Sequence, residues 1–242
     1  MKAMIFAAGL GTRLKPLTDT MPKALVPIAG KTLLEHTICK LKEEGFYDLV
    51  INVHHFAEQI ITFLDTNNNF GLNISISDER GMLLETGGGI RKAEPLLGTE
   101  PFLIHNVDII SNAPLRDLYA THLASKADAT LLVSERKSSR ALLFDDSNNL
   151  TAWKNLSTGE IKTPYKSINT ERLNQYAFSG IHIFSPSLFP LMKSYPDKFP
   201  IMDFYLDACS SASIKASVSN TLKLIDVGKL DSLAEAERYI FI

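Results

Sequence analysis

The sequence predicts an α/β fold with a doubly wound sheet flanked by helices. Three observations carry the prediction. Short, almost wholly apolar runs at residues 2–8, 49–53 and 101–105 look like strands buried on both faces of a parallel sheet. Segments with apolar residues at helical spacing lie between these runs. Alternation of the two implies parallel strands joined by helical crossovers.

The elements follow in order. The run at 2–8 stops at Gly9. Over 32–44, Leu34, Ile38 and Leu41 fall at helical spacing, and Gly45 is a stop signal. After the apolar run 49–53, Phe56, Ile60 and Phe63 share a helical face over 56–64. Residues 74–77 alternate apolar and polar, as a half-exposed strand does. A helix at 89–97 leads into the strand at 101–105. From 129 the character changes: 129–134, 141–144 and 150–153 read as short strands joined by polar turns such as Asp145-Asp146-Ser147-Asn148-Asn149. Residues 154–175 are polar and read as an extended loop. A strand at 177–184, a helix at 201–212, a strand at 222–227 and a helix at 229–239 complete the chain. No linker, internal repeat or low-complexity stretch divides it, so residues 1–242 are expected to form one domain.

Bulk properties narrow the function. The formal net charge is −2, so no global basic field favours nucleic acid or an anionic membrane. An anionic ligand needs a local site. Cys39 and Cys209 have no CxxC spacing and are too few for a disulfide framework. The first apolar run is too short for a signal peptide or a membrane span, which predicts a cytoplasmic protein.

The chemistry concentrates in Gly9-Leu10-Gly11-Thr12-Arg13, directly after the first strand. Two glycines let a ligand approach the backbone, consecutive amides form a concave anion site, and Arg13 can grip phosphate in a fork. A strand followed by GxG is weak evidence alone, since many tight turns use glycine. Two familiar phosphate motifs fail here. Leu14 stands where a dinucleotide fingerprint needs its third glycine, and Leu25 stands where a Walker A loop needs its first. More specific is the continuation through Pro16, Pro22-Lys23 and Pro27, whose prolines stiffen the loop that carries Lys23.

Gly9-Leu10-Gly11-Thr12-Arg13-Leu14-Lys15-Pro16-Leu17-Thr18 followed by Pro22-Lys23 resembles the signature of the sugar-phosphate nucleotidyltransferase family. The resemblance continues through Glu85-Thr86-Gly87-Gly88-Gly89-Ile90, Asn106-Val107-Asp108, Phe178-Ser179-Gly180 and Ile225-Asp226-Val227-Gly228. It therefore spans nearly the whole chain. It is strongest to the short members, the N-acetylmuramate 1-phosphate uridylyltransferases and the mannose-1-phosphate guanylyltransferase-like proteins.

The resemblance implies a Rossmann-like, mixed sheet of the nucleotide-diphospho-sugar transferase type, with added strands closing the sugar side. Residues 1–126 would mainly bind nucleotide and 127–242 the sugar phosphate. The reaction implied joins a nucleoside triphosphate, with UTP or GTP favoured, to a sugar 1-phosphate and releases pyrophosphate. Ala8, Gly9, Leu10, Gly11, Thr12 and Arg13 would hold the triphosphate. Glu85, Gly87 and Gly88 would lie against the base. Lys23 would bridge nucleotide and sugar phosphate, joined by Ser179 and Gly180 on the sugar side. Asp108 and Asp226 would be the Mg²⁺ ligands, a cation that commonly takes one or two carboxylates and completes its shell with phosphate and water. Val107 departs from the family, which usually has glycine there, and a valine crowds the space over the site. Longer relatives append a β-helix that promotes oligomers, so a monomer or homodimer is expected here.

Two other classes compete. A non-catalytic homologue that binds nucleotide sugars would share the fold, but Arg13, Lys23, Asp108 and Asp226 are all present. A dinucleotide-dependent oxidoreductase needs an acidic residue after the second strand, where His54 and His55 stand.

Overall fold

A computed structural model describes residues 1–240. The first strand, β1 (Lys2–Phe6), leads through a long loop to a hairpin of β2 (Pro27–Ile28) and β3 (Lys31–Thr32). Helix α1 (Leu33–Glu43) follows, capped where Glu35 N donates to Thr32 Oγ1. Next come β4 (Asp48–Val53), α2 (Ala57–Thr66), β5 (Asn73–Asp78), α3 (Glu85–Leu97) and β6 (Phe102–Asn106). A three-residue strand β7 (Ile109–Ser111) and helix α4 (Leu115–Ser125) precede β8 (Ala129–Ser134), β9 (Arg140–Phe144), β10 (Leu150–Asn155) and β11 (Ile161–Lys162). The long strand β12 (Asn174–Phe184), α5 (Phe189–Met192), α6 (Ile201–Ala208), β13 (Ile214–Val218), β14 (Leu224–Asp226) and α7 (Leu230–Ile240) end the described chain.

The main sheet has ten strands in the order β11-β10-β9-β12-β6-β1-β4-β5, with β8 and β13 branching from β12. Strands β6, β1, β4 and β5 are mutually parallel. β12 enters antiparallel to β6, β8 and β9, so the sheet is mixed rather than wholly parallel. Side chains alternate between two cores: Ala3 and Ile5 of β1 face one and Met4 the other. Helices α1, α2 and α4 contribute to the first core, and α3, α5 and α6 to the second. The sheet is thus covered on both faces, and its parallel strands point their C-terminal ends to one side.

Several boundaries differ from the sequence reading. Helix α3 begins at Glu85, not 89, because Gly87 N and Gly88 N both donate to Phe199 O (2.9 and 3.2 Å). A distant carbonyl supplies the cap that the local sequence lacks. The stretch 154–175, expected as a loop, continues β10 to Asn155, adds β11 against Trp153 and Lys154, and starts β12. Elements α4 and β13 fall where the sequence predicts none. Strand β14 is shorter than the expected 222–227 and pairs with β7, apart from the main sheet. Among the described residues, no helix is long and apolar enough to cross a membrane.

His105, His122 and His182 are buried. Burial pushes their pKa down to about 4, about 4 and about 3 respectively. Each is neutral when folded and binds a proton on unfolding below the unfolded value of about 6.5. Their stabilising contribution is complete above that value and is lost as the pH falls toward 4. The urea midpoint should therefore drop between pH 7 and pH 5; a midpoint unchanged over that interval contradicts the assignment.

Candidate active site

The loop after β1 is braced from beneath by buried polar groups. Ala7 N and Ala8 N both donate to Asn52 Oδ1, at 2.7 and 3.3 Å. Asn52 Nδ2 donates to Glu79 Oε1 at 2.7 Å, and Leu84 N to Glu79 Oε2 at 3.2 Å. Glu79 is fully buried. Loss of hydration raises its pKa, opposed by the hydrogen bonds from Asn52 and Leu84. Further along, Gly11 has φ +64°, and a Cβ there would lie 2.8 Å from Thr18 Cγ2. Its carbonyl accepts from Thr18 Oγ1 and Leu14 N. Only glycine fits that corner.

Lys23 opens a single 3₁₀ turn after Pro22, and its buried side chain pairs with Asp108. Asp108 stands just beyond β6. Its carbonyl accepts from Val227 N at 2.8 Å, and the β7–β14 ladder sets Asp226 opposite Ile109. Two carboxylates distant in sequence thus face one space. Asp226 is open to the cleft, yet the cleft walls remove enough hydration to raise its pKa. The charge of Asp108 raises it further, and Lys23, Arg13 and Arg136 oppose both effects. Gly228 permits this crowding: a Cβ on it would sit 2.8 Å from Asp226 Oδ1 and 2.9 Å from Arg13 Nη2.

Two adjoining cavities make one cleft at the C-terminal ends of the parallel strands. The first, about 540 Å³, is lined by Ala8, Gly9, Leu10, Gly11, Thr12, Arg13, Lys23, Glu85 and Asp108 among others. The second, about 620 Å³, is lined by Arg136, Trp153, Lys162, Ser179, Gly180 and Asp226 among others. Phe6, Thr86, Asn106 and Pro200 border both.

Most residues singled out from the sequence therefore meet in one cleft. Gly87 and Gly88 do not line it. Their amides are engaged by Phe199 O, and a Cβ on either would collide with Phe199 Cε2 at 2.3 Å or Asp197 O at 2.2 Å. They let the 197–199 segment close onto α3 and leave no amide free for a base. Glu85 reaches the cleft with φ +61°, a strained backbone for a residue with a side chain. Gly180 has φ +77°, and a Cβ there would lie 2.7 Å from Asn106 Nδ2. Ser179 Oγ is occupied locally by Ile181 N at 3.2 Å. Val107 is buried in the core while also bordering the first cavity, so its bulk is mostly absorbed by packing.

Sequence reasoning missed Asn52, Glu79, Arg136 and Lys162. Asn52 was detectable as the one polar residue within the apolar run 49–53. Glu79 looks like an ordinary surface carboxylate until β5 places it beside Asn52. Arg136 Nη2 donates to Phe178 O at 2.8 Å, which holds it at the second cavity. Lys162 Nζ lies 5.4 Å from the centre of the Trp153 ring. His54 Nδ1 donates to Glu79 O at 2.7 Å and serves local structure.

A family model described as nucleotidyl transferase matches residues 2–144. The N-acetylmuramate alpha-1-phosphate uridylyltransferase of Neisseria meningitidis is 46% identical over 121 residues, 50% of this chain and 52% of the relative. That of Caulobacter vibrioides is 48% identical over 110 residues, 45% and 46% of the two chains. A mannose-1-phosphate guanyltransferase of Neurospora crassa is 32% identical over 84% of this chain and 56% of its own. The matches thus span about half the length of these curated relatives. Among solved structures, HddC from Yersinia pseudotuberculosis complexed with GMP-PN superposes with TM-score 0.77 at 22% identity, covering 99% of each chain. The inositol-1-phosphate CTP transferase from T. maritima gives TM-score 0.74 at 16% identity, covering 99% of this chain and 95% of its own. Likeness at such identities is likeness of fold.

Replacing Asn52 with alanine removes the partner of two loop amides and of Glu79. Stability should fall by about 1–3 kcal/mol, the cost of buried polar groups left unpaired. Urea unfolding of Asn52→Ala measures this, and a change within error of zero contradicts the bracing role.

Proposed function

Because this chain belongs to the nucleotidyl transferase family, we propose that it joins a nucleoside triphosphate to a sugar 1-phosphate and releases pyrophosphate. The observation that carries the proposal is the convergence of Arg13, Lys23, Asp108 and Asp226 where the two cavities meet. The names of the relatives favour UTP or GTP as the nucleotide. We assign the triphosphate to the glycine-loop cavity and the sugar phosphate to the cavity beside Ser179 and Gly180. The stretches 1–126 and 127–242 would supply most of each, within one domain. We place the protein in the cytoplasm, acting as a monomer or homodimer on these small molecules.

In the proposed reaction, a sugar-phosphate oxygen attacks the α-phosphorus in line. An O–P bond forms, the bond to the β-phosphate bridging oxygen breaks, and pyrophosphate leaves. Both reactants are anions, so the barrier is largely electrostatic repulsion. Arg13 binds phosphate oxygens at the loop. Lys23, held on a proline-stiffened turn, lines the first cavity beside Asp108 and offsets negative charge as it spreads in the transition state. Arg136 faces Asp226 from the sugar side and suits the incoming phosphate.

Asp108 and Asp226 fit a divalent cation. Both offer hard oxygen atoms, and each disfavours the other's charge, a repulsion that a cation relieves. Two carboxylates suit Mg²⁺, which uses substrate phosphates and water for its remaining positions. When bound, Mg²⁺ supplies charge neutralisation and orientation of phosphate oxygens.

A matrix of nucleoside triphosphates against sugar 1-phosphates, scored by pyrophosphate release, tests the proposal. At least one pair should turn over, and silence across the matrix would sink it. With the active pair, Lys23→Ala, Asp108→Ala and Asp226→Ala should each lower kcat/KM by about 10²-fold or more, as loss of a transition-state charge partner does. Circular dichroism should show the fold retained. Near-full activity of Asp108→Ala in saturating magnesium would remove the metal assignment.

A further inference from the structure

Of the three buried histidines, two find partners inside the protein. His105 Nδ1 lies 2.8 Å from Asn106 O. His122 bonds Thr130 Oγ1 and Ser185 Oγ, both at 2.9 Å. His182 differs. It is 1% exposed, and neither ring nitrogen has a hydrogen-bond partner among the described residues. Buried polar groups are nearly always paired, because leaving one unpaired is costly. A group that stays unpaired in a well-packed sheet calls for an explanation.

The position of His182 suggests one. It sits on β12 between Ile104 of β6 and Leu131 of β8. The β12–β8 register shifts between Phe178 and His182, where Gly180 takes φ +77°. The ring lines the second cavity. Its aromatic neighbours are Phe178, with ring centres 5.5 Å apart, and Tyr205, at 5.6 Å and nearly perpendicular. The Tyr205 hydroxyl is also buried without a partner among the described residues. Nearby Ser179 has its hydroxyl engaged by Ile181 N. His182 is therefore an uncommitted polar group at the floor of the sugar side.

We propose that His182 is a specificity-determining residue, which hydrogen-bonds an uncharged hydroxyl group of the sugar 1-phosphate. This rests on the nucleotidyltransferase reading above and names a group that reads the sugar. Burial keeps the ring neutral. A neutral imidazole donates from one nitrogen and accepts at the other, and a hydroxyl can also do both. The ring carries no charge with which to hold an anionic substituent. The sugar's phosphate is left to the cations at the cavity mouth.

The test compares the wild type with His182→Phe, which keeps the ring's bulk and removes both nitrogens. Substrates are the preferred sugar 1-phosphate and its monodeoxy analogues. In the wild type, one analogue should lose about 10-fold or more in kcat/KM, since a site built to bind a hydroxyl rejects its absence. His182→Phe should lose about as much with the parent sugar, through the KM for sugar phosphate, and should no longer discriminate against that analogue. Its KM for the nucleotide should not change. His182→Gln, which keeps a donor and an acceptor, should retain part of the discrimination. A residue that merely fills the core predicts otherwise: both KM values and the discrimination would survive in His182→Phe, and that result overturns the proposal. Should His182→Phe fail to fold, His182→Gln decides, and wild-type discrimination and affinity in that variant count against a direct contact. A wild type inactive with every substrate pair overturns the enzyme reading and this proposal together. An active wild type whose His182→Phe variant behaves identically overturns only the role of His182.

Discussion

One short antiparallel pairing holds the site together. Strand β7 extends the chain just past β6, and β14 returns from the far end of the sequence to lie beside it. The bond from Val227 N to Asp108 O and the ladder behind it bring two carboxylates to one edge of the cleft. Like charges placed together raise each other's free energy, more so where water is excluded. The surrounding cations answer that cost. Lys23 pairs with Asp108, and Arg13 lowers the pKa of Asp226 from beside Gly228, where a Cβ would press on both side chains. The result is a compact region of alternating charge at the junction of the two cavities, suited to polyanions that bring their own cation.

The rest of the cleft is built to keep that region in place. On the strand side, Asn52 and Glu79 form a buried network under the glycine loop and satisfy amides that the loop would otherwise leave unpaired. On the opposite side, the N-terminus of α3 and the 197–201 segment meet backbone to backbone. Gly87 and Gly88 allow the approach, and Ile201 N donates to Thr86 Oγ1 at 2.9 Å. Thr86 and Pro200 then form a ridge bordering both cavities. A packed wall of this kind gives rigidity, because interiors resist even small changes of volume.

The legible parts of the fold share a physical cause. Strands β1, β4 and β6 are buried on both faces, so each appears as an almost wholly apolar run. Helices α1 and α2 carry one apolar face and appear as a 3.6-residue period. What was hidden lacks such a local mark. Strand direction leaves no trace in composition, so the antiparallel entry of β12 was foreshadowed only by the mixed sheet that the family resemblance implies. Strand β7 is three residues long. Strand β13 is mostly half-buried, and its Ile-Lys-Ala-Ser-Val gives a weak alternation. The first turn of α3, from Glu85 to the expected start at 89, left no local mark because its cap, Phe199 O, comes from elsewhere in the chain.

The site divides along the same line. The sequence by itself determined the chemistry available: a glycine loop with Arg13, a proline-stiffened Lys23, and aspartates ending two apolar segments, in an order that resembles a known family. Those features are local, since each depends on residue type and near neighbours. Only the tertiary structure decided which groups meet. It brought Asp108 near Asp226, put Asn52 and Glu79 beneath the loop, turned Gly87 and Gly88 from candidate ligand contacts into packing contacts, and left His182 without a partner among the described residues at the floor of the second cavity. The reason is that pairing, burial and hydration belong to the space between distant segments, and that space exists only once the chain has folded.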